Sequence, residues 1–406
     1  MSTALAEPES RAARLRLVVI LGALSAFGPL SIDMYLPGLP ELARDLGTSP
    51  SAVQLTLTAC LAGLAFGQVL AGPLSDRLGR RRPLLCGIAL YAVTSALCAT
   101  APSVAVLTGL RLLQGFAGAA GIVIARAVVR DLHSGAAAAR FFSTLMLVNG
   151  IAPILAPVLG AQLLKVTSWR GVFIVLAVVG ALLLAMTALG LRETLPPERR
   201  RAGGVRETAR TLWRLARDPS FMGFALAAGL VFGSMFAYIA GSPFVVQDIY
   251  GGSPQGFSAI FAVNGVGIVV ASQVAGRLVG RYGPMVLLRF GLIMCATGGV
   301  VLLAVFAVGG LGLWAVLPPL FVSVSSVGVV LPNASALALA DHPEVAGSAS
   351  ALLGVLQFAI GAVAAPLVGI AGKTTALPMG IIMAGLGIAA LTCLTVLARP
   401  RPAIHT

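Results

Sequence analysis

Asp33 is the only acidic residue inside any of the long apolar stretches of this 406-residue chain. A carboxylate near the middle of a lipid-spanning helix costs about 2.5–3.5 kcal/mol on insertion scales, so such an acid needs a partner or a task. Reversible protonation is a task it can perform. Desolvation favours the neutral acid and a nearby cation favours the charged one, so the group responds to whether its surroundings are open, closed or occupied. The candidate cation is Arg111, the single charge in the fourth apolar stretch, with Gln114 one turn along the same helix face. Asp33 and Arg111 each fall about 7 or 8 residues from the same face of the membrane, which at about 1.5 Å per residue puts both roughly 10–12 Å deep. Two readings follow: Asp33 binds a proton that Arg111 and Gln114 sense, or the pair is a static buried ion pair.

A second cluster closes the next apolar stretch, where Gly72, Asp76, Arg77 and Gly79 precede Arg80, Arg81 and Arg82. A carboxylate there can accept hydrogen bonds from the amino end of a neighbouring helix and attract loop arginines, forming a latch that must open if two domains rock. Arg80 to Arg82 serve equally well as topology determinants. A third pattern is Gly150, Pro153, Pro157 and Gly160. Small residues let helices approach closely and prolines bend them, which suits a moving interface as well as ordinary packing.

Positioning these groups takes membrane-spanning helices. Hydrophobic residues make up 58% of the chain, glycine supplies 48 more positions, and only 10% are charged, too little polar material to cover a soluble body of this size. That excludes a soluble enzyme and a disordered chain. The net charge of +14 sits in short clusters between uncharged runs, not on a dense basic face, so it does not indicate nucleic acid. About 20 apolar residues cross the hydrocarbon as a helix, and the runs free of charge give ten crossings once the 51-residue run 290–340 is divided near Gly309 and Gly310. The stretches Leu17 to Leu39, carrying Asp33, and Val104 to Ala125, carrying Arg111, bring the expected total to twelve.

Alternate loops place 23 basic residues on one side, including Arg126 and Arg130, against Arg44, Lys165, Arg170 and Lys373 on the other. The positive-inside rule makes the first side cytoplasmic, with both termini there. The longest polar interval, 192–218, divides the chain into 1–191 and 219–406. A shift of 204 overlays Gly72, Leu74, Arg77 and Gly79 on Gly276, Leu278, Arg281 and Gly283, with Gly280 standing where the first copy has Asp76. The expected fold is therefore an all-α membrane protein of two pseudo-symmetric six-helix bundles, an architecture used by transporters that alternate around a midplane site.

The segment 72–84, Gly-Pro-Leu-Ser-Asp-Arg-Leu-Gly-Arg-Arg-Arg-Pro-Leu, resembles the loop motif of the major facilitator superfamily, and 111–120, Arg-Leu-Leu-Gln-Gly-Phe-Ala-Gly-Ala-Ala, resembles the fourth-span motif of its proton-coupled members. Segments 31–40, 125–131, 241–247, 332–339 and 346–354 are similar to the bicyclomycin and chloramphenicol resistance (Bcr/CflA) exporters. The resemblance implies drug export driven by proton entry, with the loop motif as a conformational lock and Gly150 to Gly160 as an antiporter motif, although Ala156 and Ala161 replace its usual glycines. It also implies a substrate cavity near Tyr35, Asn149, Phe236, Tyr238, Asn264, Asn333 and Gln357.

A hydrolase or ATP-driven pump is disfavoured. His133, His342 and His405 lie in loops or tails, the five cysteines lack metal-site spacing, and the chain has no HExxH motif and no P-loop. No cofactor or metal is expected; the proton gradient is the energy source. The partners expected are protons, a small drug and the bilayer, with the chain as a monomer. A proton-coupled importer of a nutrient is the nearest alternative, because symport and antiport use similar machinery.

Overall fold

A computed structural model describes residues 11–132, 135–200, 205–342, 345–372 and 374–397. Among them the secondary structure is helical throughout. The first group comprises α1 (Arg11–Ser25), α2 (Phe27–Asp33), α3 (Leu39–Asp45), α4 (Pro50–Leu78), α5 (Arg81–Ala99), α6 (Val104–Leu132), α7 (Gly135–Leu163) and α8 (Trp169–Gly190). The linker carries α9 (Val205–Ala216). The second group is α10 (Pro219–Phe244), extended by a π-helical turn to Ile249, then α11 (Pro254–Tyr282), α12 (Pro284–Val308), α13 (Leu313–Ala340), α14 (Ala346–Leu367) and α15 (Leu377–Leu397).

Among the described residues, ten helices are long and apolar enough to cross a membrane. The first expected span, read from the sequence as one helix from Leu17 to Leu39, is instead broken: its two parts meet at 41° beside Ala26, and the second continues to Asp45. Pro29 has no N–H to give the Ser25 carbonyl, and Pro37 and Pro40 withhold the next donors in the same way, so the ladder lapses at each place. Asp33 consequently ends a seven-residue helix. It lies twelve residues before the end of α3 at Asp45. The described apolar part of α7, Gly150–Leu163, is by itself shorter than a crossing.

Helix ends repeat at the offset of 204 noted above. α4 starts at Pro50 with the Ser49 hydroxyl accepting from the Ala52 N–H, α11 starts at Pro254 with the Ser253 hydroxyl accepting from the Gly256 N–H, and both run 29 residues. Each then stops at a glycine in the left-handed region, Gly79 at φ 90° and Gly283 at φ 76°. Gly309 and Gly310 likewise have positive φ and make the turn expected inside the long uncharged run.

Glycines set the closest helix approaches. A Cβ on Gly63 of α4 would fall on the Leu112 carbonyl of α6, and one on Gly115 would fall on the Cys60 carbonyl, so these two backbones touch. Without a hydrophobic force between helices in lipid, this close packing is what holds them together. Large apolar side chains such as Phe66, Leu182, Phe290 and Ile381 remain exposed on the outer faces, where lipid tails would cover them.

Candidate functional site

A cavity of about 550 Å³ lies between the two groups of helices. Asp33 lines it from the broken helix, 5% exposed. Among the described residues its carboxylate has no hydrogen-bond or ion-pair partner. Phe27, six residues earlier, stacks on Tyr91 with ring centroids 4.3 Å apart, and Ser31 shares a 2.7 Å hydrogen bond with the Tyr91 hydroxyl, so α2 is tied to α5 just before the acid. Gly160 acts on the other side. A Cβ there would run into the Met34 carbonyl, so α7 lies directly against the backbone that follows Asp33.

The opposite wall is aromatic. Phe232 lies 4.9 Å from Phe236 and 5.5 Å, edge-on, from Phe358, and Tyr238 stacks on Phe261 at 5.4 Å. Of the residues expected to surround a substrate, Phe236, Tyr238 and Gln357 line the cavity. Asn264 stands behind Tyr238 and donates to its hydroxyl at 3.0 Å. Asn333 is buried away from the cavity and donates to the Val329 carbonyl at 2.8 Å. Tyr35 is also elsewhere, and the Asn149 side chain lies outside the described residues. Gly150 and Pro153 of the antiporter-type pattern line the cavity, whereas Pro157 is buried in packing. Gln68, Ser350 and Arg126 are cavity residues that the sequence reading did not single out. Arg126 was assigned there to a cytoplasmic loop, but α6 continues six residues beyond it to Leu132. The signal available was its i, i+4 spacing from Ile122, which also lines the cavity.

Arg111 and Gln114 form a separate buried cluster. The guanidinium lies 4.4 Å from the Tyr35 ring centroid and 5.6 Å from that of Phe173, and donates to Gln114 Oε1 at 2.5 Å. The Gln114 amide donates in turn to the Ser95 hydroxyl at 2.6 Å, and the Tyr35 hydroxyl shares a 2.9 Å hydrogen bond with Thr56. Arg111 Nε and Nη2 have no hydrogen-bond partner among the described residues. The structure therefore does not bring Asp33 and Arg111 into an ion pair; Tyr35, two residues beyond the acid, is the segment's contact with the arginine.

The loop after α4 is organised by Arg80 more than by Arg77. Arg80 is buried and donates to Asp76 at 2.5 Å, to Asp131 at 2.8 Å and to the Ser75 hydroxyl at 2.8 Å, while Arg77 is exposed and has no side-chain partner among the described residues. Glu193, just after α8, accepts from the backbone N–H groups of Arg80, Arg81, Thr194 and Leu195 at 2.7–3.2 Å. Burial pushes the Glu193 carboxyl up, but the four N–H bonds outweigh it and hold it below the ordinary glutamate value. Gly79 adopts φ 90° beside that carboxylate, and a Cβ there would meet Glu193 Oε2 at 2.5 Å. Gly72 packs on Val123 with ordinary room.

Hydrogen bonds between the two helix groups gather at one end of the cavity. Gln54 donates to the Ala240 carbonyl at 3.0 Å, Ser51 to that of Pro366 at 2.9 Å, Thr58 to that of Ala362 at 2.7 Å, Gln247 to that of Pro37 at 3.0 Å and Gln255 to that of Ala161 at 2.8 Å. Arg44 pairs with Asp248 at 3.1 Å across the same boundary.

An apolar cavity between two helix groups, entered by an acid on a broken helix and sealed at one end by bonds between them, defines a membrane transporter. Residues 21–366 match the model of the Major Facilitator Superfamily. The chain is 45% identical over 372 residues to an uncharacterized MFS-type transporter, YdgK, of Bacillus subtilis, covering 91% of this chain and 92% of that one. It is 35% identical over 362 residues to a bicyclomycin resistance protein homolog of Haemophilus influenzae, covering 89% and 91%. Its fold resembles that of the nucleoside transporter NupG, with a TM-score of 0.78 at 14% identity over 95% of this chain and 100% of the other. The chain belongs to the Major Facilitator Superfamily and, within it, to the Bcr/CflA family.

Proposed function

We propose that the protein exports drugs of the bicyclomycin or chloramphenicol type across a bacterial cell membrane in exchange for protons. In this reading it is a monomer of twelve spans with both termini cytoplasmic, and its two six-helix bundles, 1–191 and 219–406, are joined by 192–218. The observation that carries it is Asp33, an acid with no hydrogen-bond or ion-pair partner among the described residues, at the wall of a mostly apolar cavity of about 550 Å³ between the helix groups. A resistance protein homolog among its relatives supports the drug reading.

The bonds from Gln54, Ser51, Thr58, Gln247 and Gln255 lie at the end of the cavity that this orientation turns outward, so the state at hand is closed to the outside. Drug enters from the cytoplasm once Asp33 has released its proton; rocking opens the outer end, and a new proton at Asp33 favours drug release and return. Arg111 takes part through the segment it shares with Asp33. Any shift of the break after Asp33 moves Tyr35 against the guanidinium, and Gln114 and Ser95 keep the arginine in place. Asp76, Arg80, Asp131 and Glu193 form the inner lock, with Arg77 free to engage when the inner end closes. One proton entering down 100 mV supplies about 2.3 kcal/mol, enough for a drug concentration ratio of tens.

The test is uptake of labelled chloramphenicol by everted vesicles under an imposed proton gradient. Wild type accumulates it and Asp33→Asn, expressed at the same level, does not. Gradient-dependent accumulation by Asp33→Asn equal to wild type would refute the proton role. Uptake only by intact cells would reverse the direction and favour the importer.

A further inference from the structure

The cavity contains a second charge. Arg126 lines it from α6, one turn beyond Ile122, and its guanidinium has no hydrogen bond or ion pair with any described residue. Asp33 lines the same cavity and likewise has no hydrogen-bond or ion-pair partner among the described residues. A guanidinium does not lose its proton in a protein, so Arg126 is a fixed positive charge, and among the described residues neither it nor the acid has a counter-charge at this mostly apolar space. Phe232, Phe236 and Phe358 line the same cavity.

Asp33 is buried and Arg126 stands in the open part of the cavity, so a cargo that fills the space displaces water from both charges and can supply the partner that each lacks among the described residues. We infer that, among charged compounds, the cavity prefers amphoteric amphiphiles over singly charged ones, with a cationic nitrogen against Asp33, an aromatic body along Phe232, Phe236 and Phe358, and an anionic group such as a carboxylate against Arg126. The inference rests on the cavity being the transport site and adds the chemical class it selects. A ligand supplying both counter-charges replaces water at both ends while burying its apolar middle. A ligand with one charge leaves the other protein charge unpaired in a drier site. The arrangement also fits exchange: a cationic nitrogen and a proton compete for Asp33, while Arg126 holds the far end without titrating.

The probe is ciprofloxacin, a fluorescent fluoroquinolone with a piperazine nitrogen at one end and a carboxylate at the other. It is compared with its methyl ester, which lacks the anion, and its N-acetyl derivative, which lacks the cation. Binding is measured by equilibrium dialysis of the purified protein in lipid nanodiscs against empty nanodiscs at neutral pH. Wild type is expected to hold the parent about tenfold more tightly than either derivative, the scale of one charge-assisted hydrogen bond. Arg126→Gln loses the preference for acid over ester, and Arg126→Lys retains part of that preference, which a structural role for the side chain would not produce. Asp33→Asn loses the preference over the N-acetyl derivative.

An unchanged acid-to-ester ratio in Arg126→Gln overturns the assignment. Equal binding of all three compounds by wild type also overturns it, while leaving the cavity as a drug site. Retention of none of them removes the cavity as the substrate site and the inference with it.

Discussion

The bonds that seal one end of the cavity set how often that end opens. Gln54 and Thr58 lie one turn apart on α4 and bond to different carbonyls, Ala240 on α10 and Ala362 on α14. Replacing them together, Gln54→Leu and Thr58→Val, keeps side-chain bulk similar and removes both bonds. Each buried neutral hydrogen bond contributes about 1 kcal/mol net. The bonds share no partner, so their loss sums to about 2 kcal/mol, which moves the closed-to-open ratio roughly 30-fold toward open.

Arg44–Asp248 would add less than about 1 kcal/mol because the arginine is largely in solvent, so α4 is the better place to intervene. The assay is the distance between spin labels at Val166→Cys and Trp314→Cys on a cysteine-free background. Both sites are 83% exposed and stand at the same end of their respective helix groups, so labelling does not disturb packing. In the parent protein the short distance dominates; in the double variant a longer component should grow by the calculated factor. A distribution unchanged by the double substitution would refute the view that these bonds hold the end closed.

Two further outcomes follow from the packing and the loop. Gly160→Ala forces a methyl group onto the Met34 carbonyl and should lower the thermal stability of the purified protein by about 1–3 kcal/mol, whereas Gly150→Ala, with nothing within 4 Å of its new Cβ, should not; equal melting temperatures would disprove the contact. The folded Glu193 carboxyl titrates below its unfolded value of about 4.3, so its stabilisation of the loop is complete above that pH and is lost as pH falls through the lower, folded value. Protection of the Arg80 and Arg81 amides, read as the ratio of intrinsic to observed exchange at each pH, should thus persist into pH values below the ordinary glutamate range and be lower throughout in Glu193→Gln; unprotected amides in wild type at neutral pH would contradict this.

The path from chain to transporter was legible where it depends on composition and on local backbone chemistry. Charge-free runs too long for a soluble core gave the crossings, and Gly309 with Gly310 marked a turn because left-handed backbone favours glycine. The repeat at 204 was visible in the loops and extends in the structure to Ser49-Pro50 and Ser253-Pro254, a cap signal that could have been read directly. Pro29, Pro37 and Pro40 were equally readable as breaks in the first span, yet hydropathy alone joined the segments into one helix, because an apolar run does not report which carbonyls lose their donors.

What only the tertiary structure decided is which of these groups meet. Depth counted along two helices says nothing about their rotation, and Arg111 turned out to face Tyr35 and Gln114, not Asp33. Sequence alone favours Arg77 over Arg80 to Arg82 as the working arginine beside Asp76; burial against Asp131 and Ser75 makes Arg80 the hub and leaves Arg77 in the open. Arg126 looked like a loop charge until α6 was seen to continue past it with that face turned to the cavity. Sequence determines periodicity and cost of burial residue by residue, whereas the partners of a buried charge depend on how whole helices are rotated against one another, and that is settled by the fit of their small residues across the interface.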